Sequence, residues 1–83
     1  MADCRIKDGI ATVDIHQMYA ADAKKYLERL LTRLPAEVER VEVIHGYNSG
    51  DALMAAVRTE VRSRRIKRRG LSTNPGITIY YLK

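Results

Sequence analysis

Two short runs decide how this chain folds: Val13-Asp14-Ile15-His16 and Val41-Glu42-Val43-Ile44-His45-Gly46. Each is a β-branched apolar run that ends at one of the chain's two histidines, and each precedes a helix-like segment. The alternation predicts strands, and a helix between two strands predicts parallel pairing. Because side chains at the carboxyl ends of parallel strands meet at one edge of a sheet, we expect Asp14, His16 and His45 to lie together there.

Apolar spacing predicts four strands and two helices along the chain. Residues 1–8 show no periodicity and are expected to form an N-terminal lead-in, followed by a single domain over residues 9–83. The expected elements are a strand at 11–16, a helix at 20–34, a strand at 40–44, a helix from Asp51 to about Ser63, and strands at 65–71 and 77–82. The order β-α-β-α-β-β ends in a short connection, which predicts an antiparallel hairpin.

The alternation in the strands favours two layers over three. Strands covered by helices on both sides would be apolar at every position, whereas these strands carry polar residues at alternate positions. We therefore expect an α/β (α+β) two-layer sandwich, a four-stranded mixed sheet with two helices on one face. The residues expected on the open face are Thr12, Asp14, His16, Arg40, Glu42, Thr78 and Tyr80.

Composition limits the class of protein. The 83 residues suffice for one domain, and no run approaches the ~20 apolar residues that a membrane span requires. The single Cys4 cannot form an internal disulfide, and no cysteine cluster suggests zinc. Because the first residues lack the apolar core of a signal peptide, we expect a cytoplasmic protein with no membrane partner.

Basic residues are concentrated in one segment. Seven basic residues and one acidic residue lie at positions 58–69, so the rest of the chain sums to −1 out of a total of +5. Arginine suits phosphate because its guanidinium group donates two parallel hydrogen bonds. The segment therefore predicts contacts to nucleic acid, and a solvated helix end is the alternative. The residues are Arg58, Arg62, Arg64, Arg65, Lys67, Arg68 and Arg69.

A glycine-containing turn follows the second histidine. Gly46, Tyr47, Asn48, Ser49 and Gly50 lie between a strand and a helix start, where backbone N–H groups and the helix dipole favour a phosphate group. An ordinary turn is the alternative, since the run contains neither a Walker lysine nor GxGxxG. Tyr47 and Tyr80 are candidates for stacking on bases, with core packing as the alternative.

Asp14, His16 and His45 are the candidate catalytic residues. Asp14 and His16 lie two apart on one strand, so the carboxylate can orient the imidazole for general acid or base catalysis, with His45 as the opposite partner. Histidines that serve only in packing are the alternative. The same three residues are suitable metal ligands, but no further carboxylate cluster supports a divalent metal, and no cofactor is expected.

Three stretches of the sequence together resemble the Smr (small MutS-related) domain. They are Val-Asp-Ile-His at 13–16, Val-Ile-His-Gly at 43–46 closing with Gly50, and Pro-Gly-Ile-Thr-Ile at 75–79. The family is recognised by a Leu-Asp-Leu-His-like strand, a His-Gly-x-Gly-x-Gly-like turn and a Gly-hydrophobic-Thr-hydrophobic last strand, and the likeness covers residues 11–82. Gln17 stands where the family commonly has glycine, and Asn48 replaces the middle glycine of the turn.

The resemblance implies a nucleic-acid-binding domain of a family in which several members nick DNA or cleave RNA. It places the activity on Asp14, His16, His45 and Gly46, with Gly50 shaping the turn. Three functions remain open at this point: an endonuclease, a non-catalytic nucleic-acid module, and a domain that binds an acidic partner such as a ribosomal or DNA-repair protein.

Overall fold

The computed structural model describes residues 3–47 and 52–83, which form a five-stranded mixed sheet with helices on one face. The elements are β1 (Asp3–Lys7), β2 (Ile10–Asp14), α1 (Ala20–Arg33), β3 (Arg40–Ile44), α2 (Ala52–Ala55), a π-helical segment (Ala56–Glu60), β4 (Arg68–Leu71) and β5 (Ile77–Tyr81). The mixed α+β class expected from the sequence is confirmed, but the expected count of four strands is wrong.

The strand order across the sheet is β1-β2-β3-β5-β4. β2 and β3 pair in parallel, with Val13 opposite Val43, as the helix between them predicts. β4 and β5 form the expected antiparallel hairpin, and β5 lies between β3 and β4. The carboxyl ends of β2 and β3 therefore share one edge of the sheet.

The expected N-terminal lead-in is wrong, because residues 3–7 form the edge strand β1. This strand pairs antiparallel with β2, and the turn between them has positive φ at Asp8 (53°) and Gly9 (79°). Positive φ at both central residues is characteristic of a type I′ hairpin turn, for which Asp-Gly is a preferred pair. The hairpin signal was present in the sequence, but the run before it is too short to show periodicity.

The two faces of the sheet differ from the expectation at β5. Val41 pairs with Tyr80 and Val43 with Thr78, so these two β5 side chains share the buried face. Tyr80 and Thr78 are buried, and the expectation that they lie on the open face is wrong. A strand that alternates polar and apolar residues does not reveal which set faces the helices when tyrosine and threonine can form buried hydrogen bonds.

The core lies between the sheet and the helices. In α1, Ala23, Leu27 and Leu31 are buried along one face, and the helix ends at Arg33 before Leu34 and Pro35. The other residues of the main core cluster are Ala11, Val13, Ile15, Leu34, Val38, Val41, Val43, Val57, Val61, Tyr80 and Leu82.

The second helix is shorter and more irregular than expected. After one turn of α2, residues 56–60 widen into a π-helical segment, closed by the Val61 N–H donating to the Ala56 carbonyl at 3.1 Å. Within the described ranges, no helix is long and apolar enough to cross a membrane.

Gly9→Ala tests the β1–β2 turn. We expect a loss of about 1–2 kcal/mol in the free energy of unfolding, because Gly9 has φ +79° and an L side chain is strained there. An added Cβ would meet only ordinary contacts, the nearest at 3.5 Å, so the cost comes from the backbone. Urea denaturation measures it, with exposed Lys7→Ala as the control; equal midpoints for the two variants would contradict the assignment.

Candidate functional site

The carboxyl ends of β2 and β3 meet the start of β5. The Ile15 N–H donates to the Ile44 carbonyl at 2.9 Å, and the Gly76 carbonyl accepts the N–H groups of His45 (2.9 Å) and Gly46 (3.0 Å). His16 packs close to Gly46, since a Cβ built on Gly46 would lie 3.7 Å from the His16 Cβ. The structure thus brings the segments that carry Asp14, His16 and His45 together at one edge.

Asp14 and His16 form a hydrogen-bonded pair. Asp14 Oδ1 lies 2.5 Å from His16 Nδ1 and also accepts the backbone N–H of His16 at 3.1 Å. The hydrogen bond from the imidazole holds the pKa of the Asp14 carboxyl below its ordinary value of 3.8, so the carboxylate is ionised near neutral pH. Asp14 therefore fixes the proton of neutral His16 on Nδ1.

His16 presents its second ring nitrogen away from Asp14. The side chain is 52% exposed, and no described residue makes a hydrogen bond to Nε2. A neutral imidazole with the proton on Nδ1 has its acceptor lone pair on Nε2. The pair therefore has the geometry of a general base oriented by a carboxylate.

His45 is in a different environment, buried to 2% exposure on the helix side of the sheet. Its Nδ1 lies 2.7 Å from the Gly46 carbonyl, and its Nε2 lies 2.8 Å from the Thr78 hydroxyl. A carbonyl can only accept, so Nδ1 carries the proton and Thr78 donates its hydroxyl proton to Nε2. Arg58 Nε–H donates in turn to Thr78 Oγ1 at 3.2 Å.

Burial favours the neutral form of His45. Burial, together with the charge of Arg58, lowers the pKa of the His45 imidazole from its ordinary value of 6.5, although the contact with the Gly46 carbonyl acts in the opposite direction. Both ring nitrogens have partners within the protein. In this arrangement both nitrogens of His45 are engaged, and its expected role as the opposite acid–base group stays a prediction.

Gly46 and Gly76 allow the two strands to approach closely. Gly46 has φ +76°, and a Cβ on Gly76 would lie 3.2 Å from the Gly46 Cα. Gly76 and Thr78 were not among the candidate residues, although the Gly-Ile-Thr run at 76–78 is part of the motif that carries the family resemblance. Two of the three motifs thus contact each other directly.

A metal site on Asp14, His16 and His45 does not fit this geometry. Both nitrogens of His45 are engaged, which leaves at most two of the three side chains to reach an ion. In residues 3–47 and 52–83, no group of three or more His, Cys, Asp or Glu side chains could hold a metal ion.

Two arginines of the basic segment, Arg65 and Arg69, donate hydrogen bonds to backbone carbonyls of the protein itself. Arg65 donates to the carbonyls of Leu31 (2.7 Å), Leu34 (2.5 Å) and Pro35 (3.0 Å), at and just beyond the end of α1. A cation at a helix C-terminus also stabilises the helix dipole. The Arg65 guanidinium group is thus committed to the protein's own backbone.

Arg69 likewise donates hydrogen bonds to backbone carbonyls, here in and just after the π-helical segment. It donates to the carbonyls of Val57 (3.1 Å), Arg58 (3.0 Å) and Val61, and its guanidinium group lies 5.5 Å from the centre of the Tyr80 ring. The Tyr80 hydroxyl donates to the Val57 carbonyl at 2.6 Å, and burial raises the pKa of this phenol. Tyr80 is therefore a core residue, which agrees with the core-packing alternative and leaves its ring unavailable for stacking on bases.

The other basic residues lie on more than one surface. Arg58 reaches Thr78, and Arg68 stacks on the open face with its guanidinium carbon 4.2 Å from the centre of the Tyr81 ring. The remaining members of the segment are exposed: Arg62, Arg64 and Lys67. In the glycine turn, Tyr47 is exposed, whereas Asn48, Ser49 and Gly50 lie outside the described residues, as does Asp51 at the expected helix start.

Comparisons with protein-family models, with curated proteins and with solved structures found no match to this chain.

The pH dependence of stability tests the state of His45. We expect the free energy of unfolding to be largest above pH 6.5 and to fall below it, by at most about 1.4 kcal/mol per pH unit. The reason is that His45 binds a proton in the unfolded chain at a pH where burial still prevents it in the folded one. Urea denaturation between pH 8 and 5.5 measures this, above the range where Asp14 titrates.

His45→Gln should flatten this dependence, because the variant has no imidazole at position 45. A slope in His45→Gln equal to that of the natural protein would contradict a neutral buried His45.

Arg65→Ala tests the interaction with the end of α1. We expect a loss of about 2 kcal/mol in the free energy of unfolding, because three carbonyls lose a charged donor. The neighbouring exposed Arg64→Ala should change stability by less than about 0.5 kcal/mol. Equal urea midpoints for the two variants would show that the Arg65 contacts do not stabilise the helix.

Proposed function

We propose that this chain is an Smr-like nucleic-acid-binding domain that cleaves RNA, with the Asp14–His16 pair as its general base. The observation that carries the proposal is the exposed His16 ring, held by Asp14 through Nδ1 and with Nε2 directed away from that contact. A carboxylate–imidazole pair of this kind is suited to removing a proton from a hydroxyl group.

The chemistry of the pair favours RNA over DNA. In RNA the 2′-hydroxyl is an internal nucleophile, whereas in DNA a water molecule would have to attack. His16 Nε2 takes the 2′-hydroxyl proton as the 2′-oxygen bonds to phosphorus, and the bond to the 5′-oxygen breaks. The products are a 2′,3′-cyclic phosphate and a 5′-hydroxyl whose proton comes from water. The Asp14 carboxylate stabilises the imidazolium that forms, since it accepts the Nδ1–H.

The family assignment is supported by topology and by contacts between motifs. β2, α1, β3, α2, β4 and β5 follow the order β-α-β-α-β-β that the sequence predicts for the domain carrying the three motifs. His45 and Gly46, from one motif, bond to Gly76 and Thr78, from another. The motifs are therefore parts of one structural unit at the edge where His16 lies.

A non-catalytic nucleic-acid module is the second candidate. Arg62, Arg64 and Lys67 are exposed, and Arg62 uses its backbone N–H rather than its side chain to contact Glu28, at 2.8 Å. Such cations are available to phosphate groups. Binding through them would weaken steeply with salt and would not depend on His16.

Cleavage of labelled RNA oligonucleotides distinguishes the two candidates. We expect His16→Ala to lower the rate by about 10²–10⁴-fold, the usual contribution of a general base, and Asp14→Asn to lower it less. His16→Ala should retain binding measured by fluorescence anisotropy. A 2′-deoxy nucleotide at the scissile position should block cleavage without blocking binding.

Each failure has a distinct meaning. If the natural protein cleaves no better than His16→Ala but both bind RNA with the same salt dependence, the chain is a binding module. If Arg62, Arg64 and Lys67 changed together to Ser leave the affinity unchanged, those side chains are not the binding surface. These variants leave Arg65 and Arg69 intact, so that a loss of binding is not a loss of folding.

A further inference from the structure

A cleft lies beside His16 at the start of α1. Its volume is about 420 Å³, within the range of small-molecule sites. Residues 16–20 form one wall, and Ala52 and Leu53 form the other. The described lining residues include no Asp, Glu, Lys or Arg, so the cleft suits a neutral group bound next to the proposed base.

Tyr19 is the most prominent side chain of this cleft. It is 83% exposed, the largest exposure among the exposed large hydrophobic residues of the structure's described part. It occupies the N-cap position of α1 but makes no side-chain capping hydrogen bond. The core cluster does not include it, whereas Met18 and Leu53 from the same cleft pack against that cluster. Tyr19 is therefore an aromatic surface left uncovered three residues from His16.

We propose that this cleft binds one unstacked nucleobase of the RNA substrate, with Tyr19 as the stacking surface. The proposal rests on the proposed function, because the base is identified by its position beside His16. Aromatic side chains bind single-stranded nucleic acid by stacking on successive bases. A flat, largely neutral ligand next to a phosphodiester fits a cleft of Met18, Tyr19 and Leu53 beside an imidazole.

The cleft also indicates which form of RNA the domain takes. A base can enter it only after leaving its stack, which costs least in single strands, loops and bulges. Among the described lining residues none carries a fixed charge, and stacking accepts every base. We therefore expect a preference for single-stranded over duplex RNA, with little dependence on base identity.

Tyr19→Trp provides a direct measurement, because the chain contains no tryptophan. The substitution is made in a His16→Ala background, so that the RNA stays intact. We expect single-stranded RNA to quench the fluorescence of this tryptophan, and an oligonucleotide of the same length with abasic sites throughout to quench it far less. Ile6→Trp in the same background is the matched control, since Ile6 is a half-exposed apolar residue paired with Ala11 at the far end of β2.

Affinity gives a second test. Tyr19→Ala should weaken binding of single-stranded RNA about tenfold, equal to about 1.4 kcal/mol and within the range of base–aromatic stacking. Tyr19→Phe and Ile6→Ala should change it less than twofold. Circular dichroism confirms that each variant is folded.

The outcomes separate this inference from the function on which it rests. Binding of RNA without quenching at position 19, or equal quenching at positions 19 and 6, overturns the nucleobase site even if the protein cleaves RNA. Quenching at position 19 in a protein whose natural form cleaves no RNA supports the site and overturns only the catalytic proposal. Absence of RNA binding in the natural protein overturns both.

Discussion

The hydrogen bond from Thr78 to His45 is the contact on which the sheet edge at the carboxyl ends of β2 and β3 depends. It joins β5 to the end of β3 in the buried layer. Arg58 donates a further hydrogen bond to Thr78, and His45 donates one to the Gly46 carbonyl. A buried imidazole is costly unless both nitrogens are paired, so these partners are required together. These bonds hold His45 and Gly46 against β5, and Gly46 lies beside His16.

The two histidines therefore have different physical roles although the sequence presents them alike. Each follows a β-branched run at the end of a parallel strand. His45 continues the inward alternation of Val41 and Val43, and burial lowers the pKa of its imidazole. His16 follows buried Ile15 beyond the end of β2 and turns back to bond with Asp14 on the exposed side. One residue type thus supplies both the scaffold and the proposed base.

The basic segment shows the same division of roles. Arg65 and Arg69 donate to backbone carbonyls at or near the ends of α1 and the π-helical segment, which stabilises the layer that covers the sheet. These arginines satisfy carbonyls that the helices leave without partners. Only the exposed cations between and beside them are available to an external phosphate. A net charge of the whole segment therefore overstates the charge available to a ligand.

The sequence by itself determined the α+β class, the parallel β2–β3 pair, the closing hairpin and the edge shared by the segments that carry Asp14, His16 and His45, because hydrophobic periodicity and short connections are local signals. Tertiary structure alone decided that Tyr80 and Thr78 face inward, that Arg65 and Arg69 bond to the backbone, and that His45 is enclosed. The sequence also contained the Asp8-Gly9 turn that makes residues 3–7 a strand, but those residues are mostly polar and exposed, so they lack the apolar alternation of a buried strand. Strand register and long-range hydrogen bonds depend on partners distant in the sequence, 11 residues away for Arg69–Arg58 and 33 for His45–Thr78, which local patterns do not specify.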